Sequence, residues 1–193
     1  MSTTTQSRTA TLPPLAGTEW QLDTAHTMVE FAARHLMITT VKGRFGKVSG
    51  TVAFDARAAL EPIVEIDIDA ASLDTREDRR DAHLRSGDFL DVDKHPKIRF
   101  RGGRIEGNPL DDFKLHGELT IRGVTRKVVL DVSHEGRSLD PWGVEHLGFI
   151  AKTKIDRRDF GLTWNMALET GGVLVGDEIK ISIDVELIRK VQA

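Results

Sequence analysis

The chain has 193 residues, of which 39% are hydrophobic and 30% charged, with a net charge of −3 and no cysteine. That length suits one sizeable core rather than two. With no basic excess to neutralise phosphates it is not a general nucleic-acid binder, and without cysteine it has no disulfide, thiolate metal site or cysteine nucleophile.

Residues 1–17 are rich in Thr and Ser and close with Pro13, Pro14 and Gly17, the composition of a mobile arm. They contain no apolar stretch behind a basic start, and nothing later approaches the roughly 18 apolar residues of a bilayer-spanning helix, so the expected location is cytoplasmic. From Trp20 onward the dominant signal is alternation with period two, which puts apolar side chains on one face of a strand. Short versions occur at Trp20–Asp23 and at Thr27–His35, where Val29, Phe31, Ala33 and His35 share a face. Gly43–Asp55, with Phe54 inward, is interrupted by Gly46 and Gly50, which fit a bend or bulge. Ile63–Ala71 alternates cleanly, with Val64, Ile66, Ile68 and Ala70 against Glu65, Asp67 and Asp69.

Asp74–Arg85 breaks the pattern. It carries good helix formers, a weak capping signal in Thr75 and Asp78, and a stop at Ser86-Gly87, and so predicts a short charged surface helix outside the barrel or over one end. Alternation resumes at Lys97–Arg101 with Ile98 and Phe100 inward. It continues through Phe113, Leu115, Gly117, Leu119 and Ile121, then Val128, Leu130 and Val132. Arg122-Gly123 between these runs is a hairpin signal. Glu145–Asp156 turns Leu147, Phe149, Ala151 and Ile155 to one face. Residues 157–176 are irregular and are read as covering a barrel mouth with Phe160, Leu162, Trp164 and Met166. The last run places Ile179, Ile181, Ile183, Val185 and Leu187 against Lys180, Ser182, Asp184 and Glu186. Many similar strands joined by short turns predict an all-β antiparallel barrel or sandwich, and long one-sided strands favour a barrel that closes on itself.

Polar candidates are few. Asp23 and His26 could orient an imidazole or contribute to a metal site, but an Asp at a turn more often caps its own backbone, and two ligands do not make a site. His35 is either a hydrogen-bonded rim histidine or a polar contact for a ligand head group. Arg80, Asp81 and His83 lie close in sequence, yet residues two apart on a helix do not face each other, so a structural role tying the helix to the barrel by hydrogen bonds and an ion pair is preferred. His95, His116, His134 and His146 share no spacing and are read as surface histidines. No phosphate-binding glycine loop, nucleophile elbow, zinc-protease helix or dinucleotide fingerprint occurs. No catalytic residue and no metal ligand is assigned.

The run Arg80-Asp81-Ala82-His83-Leu84-Arg85-Ser86-Gly87-Asp88-Phe89-Leu90-Asp91, followed by His95-Pro96-Lys97-Ile98-Arg99-Phe100, resembles the signature of the YceI-like family. Trp20-Gln21-Leu22-Asp23 with His26, Val29, Phe31 and His35 is similar to the family's opening. Gly117 to Thr125, Ile155 to Gly161 and Val175-Gly176-Asp177 are similar to its central hairpin, its late loop and its approach to the last strand. The likeness spans about Gly17 to Arg189, and the domain is taken as residues 18–190. Two features depart from the family: many members carry a secretory signal, and an aromatic residue usually stands where this chain has His95.

The resemblance implies an extended, lipocalin-like antiparallel barrel of roughly eight strands whose channel binds a long isoprenoid lipid or quinone tail without catalysis. The expected apolar channel residues are Val29, Phe31, Phe54, Ile66, Ile68, Phe100, Leu115, Leu119, Phe149, Ile155, Trp164 and Met166, with His35 and Arg44 at a polar rim. The expected ligand is an isoprenoid lipid or quinone, with no other cofactor; transient membrane contact and a homodimer are further expectations. Two other readings stand beside this one. One is an enzyme acting on such a lipid through His26, His35 or the Asp81/His83 neighbourhood. The other is a stress-linked interaction module with a filled barrel.

Overall fold

The computed structural model describes residues 15–58, 60–167 and 173–190. Its strands are β1 (Thr18–Leu22), β2 (Met28–His35), β3 (Thr39–Phe45), β4 (Val48–Phe54), β5 (Ile63–Asp69), β6 (Leu73–Asp74), β7 (Lys97–Gly107), β8 (Asp112–Ile121), β9 (Val124–Leu139), β10 (Glu145–Asp156) and β11 (Val175–Arg189). The helix α1 covers Asp78–Arg85. All pairings between these strands are antiparallel.

The eleven strands make eight staves, because three staves are each broken once. β1 and β2 lie in line along β11, meeting it at Leu22↔Leu187 and Met28↔Asp184. β3 and β4 are the two halves of the next stave, broken at Gly46-Lys47 and paired with β2 and β1 respectively. β5 and β6 form the third, pairing with β4 and β3 across a single 3₁₀ turn at Ala70–Ser72. β7 to β11 follow in order, and the β1–β11 pairing closes the barrel. The result is the closed eight-stranded antiparallel barrel that one-sided alternation demands, since closure removes the edges.

The predicted faces are the observed ones. Val64 and Ile68 are buried while Ile63 is exposed; Leu130 and Val132 are buried while Val129 is exposed. The Arg122-Gly123 turn joins the Ile121↔Val124 pair with both residues left-handed, at φ 49° and 75°, the backbone that a two-residue hairpin of matching twist requires. Gly117 shares the inward face because Phe100 occupies its side-chain space. A Cβ there would lie 2.5 Å from the Phe100 ring and 2.6 Å from the Arg101 carbonyl oxygen.

Three expectations are corrected. Residues 1–14 of the proposed arm lie outside the described residues, but Leu15 is buried and the Gly17 N–H donates to Phe54 O at 2.7 Å, so its end is part of the barrel. The N-cap of α1 is Glu77, not Thr75 or Asp78, and its carboxylate accepts from Arg79 N and Arg80 N. His134 and His146 are part-buried rather than surface residues: the His134 ring lies tilted against Phe149 with centroids 5.3 Å apart, and the Nε2 atoms of both histidines are buried.

Candidate ligand cavity

The inward faces do not fill the barrel. They leave a cavity of about 400 Å³ lined almost entirely by apolar side chains from every stave, a size typical of sites that take one small molecule. Of the residues expected to face the channel, Val29, Phe31, Phe54, Ile66, Ile68, Phe100, Leu115, Leu119, Phe149, Ile155 and Trp164 line it, as does His35.

Two expected residues do not. Met166 lies beyond the covering segment with its side chain exposed, because the chain turns outward after Trp164 to bridge Ala167 to Val173. Arg44 has the outward parity of β3, between inward Gly43 and Phe45, and pairs with Asp74 at 3.2 Å on the outer wall. The period-two rule of the strand places it outside rather than at the rim.

The two ends of the barrel are closed differently. At one end Trp20, Leu147 and the buried carboxylate of Glu145 fill the lumen. Glu145 accepts from Arg137 on β9 and, at 2.8 Å, from Arg189 on β11. The Arg137 guanidinium lies 6.0 Å from the centroid of the Trp20 ring, whose Nε1 donates to Thr18 Oγ1 at 2.7 Å. Burial alone would push Glu145 up, but the hydrogen bonds from Arg137 and Arg189 outweigh it and hold the carboxyl below the usual glutamate range. Arg137 faces inward because the β9–β10 register slips between Gly148 and Phe149, shifting the face of β9 after His134.

At the other end a wall is missing. β7 begins opposite Asp69, so among the described residues β6 has no strand partner on its far side, and β3 pairs with β6 only through Arg44 and Phe45. Two irregular segments cover this gap. The first is α1 with the residues after it, contributing Arg80, His83, Leu84, Phe89 and Leu90 to the cavity; the second follows β10 and contributes Arg157, Leu162 and Trp164.

Polar side chains hold these covers in place. Asp81 accepts from Thr75 N at 3.0 Å and from its hydroxyl, Arg80 donates to Thr75 O at 2.7 Å, and Arg85 donates to Ala71 O at 2.9 Å. The helix is thus tied to the barrel by hydrogen bonds, without an ion pair from Arg80 or Asp81 among the described residues, and Asp81 faces Thr75 rather than His83. Arg157, only 2% exposed, donates to Gly176 O at 3.1 Å, Trp164 O at 2.9 Å and Asp177 Oδ1 at 3.0 Å, and also to Leu162 O. It pins the second cover to the start of β11.

The covers also meet each other. His83 packs edge-on between Phe89 and Trp164, with centroids 5.1 and 4.6 Å away, while its Nε2 lies 2.9 Å from Asp88 Oδ2. Arg122, at the β8–β9 turn, donates to Gly87 O at 2.7 Å and to Gly161 O at 3.2 Å, one bond to each cover.

Sequence reasoning missed Leu84, Phe89 and Leu90 as lining residues because a charged helix reads as surface. It missed Arg157 because an arginine in a loop carries no sign of burial. The DFL at residues 88–90, directly after the Ser86-Gly87 helix stop, was the available signal for Phe89 and Leu90. His26, meanwhile, lies on the outer surface, hydrogen-bonded to Asp23 at 2.8 Å.

A closed eight-stranded antiparallel barrel around one apolar cavity, with a helix over one end, defines a lipocalin-like class of protein. The YceI-like domain family matches residues 20–187, and the chain belongs to that family. A UPF0312 protein of Staphylococcus aureus is 36% identical over 170 residues, covering 88% of this chain and 96% of the relative. A UPF0312 protein of Vibrio parahaemolyticus is 33% identical over 146 residues, covering 75% and 77%. Among solved structures, the Campylobacter jejuni YceI protein superposes with a TM-score of 0.70 at 33% identity, covering 82% of this chain and 90% of that one. Burkholderia cenocepacia BcnA (TM-score 0.73, 22% identity, 86% and 98% coverage) shares the fold. So does a polyisoprenoid binding domain from Saccharophagus degradans (TM-score 0.68, 12% identity, 89% and 98% coverage).

Proposed function

We propose that the protein binds a single long isoprenoid chain, free or as the tail of a quinone, in the barrel cavity and carries or stores it without chemical change. The observation that carries this reading is the cavity of about 400 Å³ inside the barrel with its almost wholly apolar lining. An interior of this kind makes a polar substrate costly to desolvate and an apolar chain favourable to bury. An isoprene unit corresponds to four or five methylenes, so each buried unit contributes about 3 kcal/mol gross, before the cost of ordering it. A few units would hold the ligand with no charged contact. The fold likeness to a domain described as polyisoprenoid binding supports the same ligand class.

Of the polar residues that line the cavity, Arg34, His35, Arg80, His83 and Arg157 come from the C-terminal end of β2, from α1 and from the second cover. The chain end would therefore lie toward the triad of Glu145, and a head group toward the helix. The test is extraction of the natively purified protein with organic solvent, followed by mass spectrometry, with titration of polyprenols and quinones into the delipidated barrel. A recovered or tightly bound isoprenoid is the expected result. A folded protein that yields no lipid and ignores both classes of added ligand overturns the proposal.

A further inference from the structure

One cluster of chemistry-bearing side chains lies on the outer wall, away from the cavity lumen, where the first stave is broken. β1 leaves β11 after Leu22 and β2 takes over at Met28, so residues 23–27 form a turn that bulges from the barrel. Its two ends are fastened to the same residue of β11. Asp23 N donates to Glu186 O at 2.8 Å, and Glu186 N donates to Thr27 Oγ1 at 3.2 Å. Within the turn, Ala25 N donates to Asp23 Oδ1 at 2.8 Å, which fixes that carboxylate. The outcome is that Asp23, His26 and Glu186 each present a ligand atom, all within 4.8 Å of one another.

We propose that Asp23, His26 and Glu186 bind a divalent transition-metal cation of the zinc type, with the remaining coordination position open to solvent. Three protein ligands of mixed imidazole and carboxylate character are the donor set that such ions take when one position is left free. The sequence offered only two of them; the third arrives from a strand about 160 residues downstream because β11 bridges the break in the stave.

The surroundings favour a cation. Behind Glu186 stands His146 on β10, whose Nδ1 lies 2.7 Å from Glu186 Oε1, and behind that Asp140, 3.5 Å from His146 Nε2. His146 Nε2 is buried and makes no hydrogen bond. Among the described residues, Asp23, Glu186 and Asp140 have no lysine or arginine within ion-pair distance, their partners being histidines. Elsewhere on this barrel the carboxylates of Asp67, Asp74, Asp131 and Glu145 are met by lysine or arginine. Three carboxylates beside two histidines leave negative charge that a divalent cation would neutralise. His146 acts as a positioning residue that holds the Glu186 carboxylate in place, as outer partners of metal ligands do. The ion would fasten β1, β2 and β11 at one point, directly behind Leu22, Thr27 and Leu187 of the cavity wall.

The experiment uses the full chain, dialysed against a chelator and then freed of it. Zn²⁺ is titrated by calorimetry and Co²⁺ by its visible absorption, with circular dichroism to verify the fold of each variant. One ion per chain is expected. His26→Ala and Glu186→Gln should each weaken binding at least about tenfold, and His146→Ala by a similar factor through loss of orientation. His116→Ala, which removes a histidine hydrogen-bonded to Glu106 elsewhere on the surface, should leave the titration unchanged. The proposal is overturned if the folded wild-type chain takes up neither ion, or if it and the His26→Ala and Glu186→Gln variants bind alike. The melting temperature supplies a second measure: Zn²⁺ should raise it in the wild type and in His116→Ala but not in His26→Ala.

Discussion

The two ends of this barrel solve the same problem with opposite materials. At the Glu145 end the staves themselves close the lumen, with a fully buried Trp20 and a carboxylate shared between two guanidinium groups. At the α1 end the sheet stops short, and two irregular segments held by Arg80, Arg122 and Arg157 lie across the gap. A plug built into the hydrogen-bonded wall cannot open without breaking strand pairing. Covers fastened by a handful of side-chain bonds can part while the sheet stays whole. The difference makes the Glu145 end the rigid one and leaves the α1 end as the one through which the proposed lipid would pass.

The largest effect should come from breaking the rigid end. Glu145→Ala leaves buried positive charge unpaired beside Trp20 and should cost about 3–5 kcal/mol in urea unfolding. Equal stability of this variant and the wild type would mean the triad does not close the lumen. Next comes the wall between the ends: Gly117→Val drives a side chain into the Phe100 ring and the Arg101 carbonyl and should cost about 1–3 kcal/mol. It should also reduce ligand uptake, because Phe100 lines the cavity.

Acid should weaken the two ends unequally. The Glu145 carboxyl is held below its ordinary range in the folded protein, so at falling pH the unfolded chain binds its proton first. Its contribution is complete above the ordinary glutamate value of about 4.3 and is lost as pH falls through the lower folded value. Amide exchange read between neutral pH and that range should show the strands around Glu145 losing protection as acid is added, and Glu145→Gln should abolish that part of the dependence. A subtler effect is expected at the covers. Trp164→Ala removes the ring on which His83 packs and should shorten the residence time of bound lipid while the strands keep their exchange protection. At the bottom of the scale, Arg44→Ala should leave lipid affinity unchanged, since that side chain pairs with Asp74 outside the wall; a marked loss would return Arg44 to the rim.

How much of this was legible in the chain depends on how local the cause is. Alternation decides which face of a strand is apolar from its own residues, so the ten expected channel residues that lie in strands are where period two put them. The other two, Trp164 and Met166, sit in the stretch after β10 that has no alternation, and of these only Trp164 lines the cavity. Arg44, expected at the rim, follows the parity of β3 instead and lies on the outer wall. The Arg122-Gly123 hairpin was equally local, since two left-handed residues are a property of the turn itself.

What the residues alone determined is thus an antiparallel barrel with an apolar inner face, together with the motifs that mark its family. Only the tertiary structure decided that three staves are broken, that one end carries a buried charged triad and the other two covers, and that the lumen stays open. Those outcomes depend on contacts between positions far apart in sequence. A register slip after His134 turns Arg137 inward, and β11 carries Glu186 to Asp23 and His26. Periodicity within a strand holds no record of which strand will lie beside it, and the spacing of the staves, not any one of them, sets whether the apolar faces meet or leave room between them.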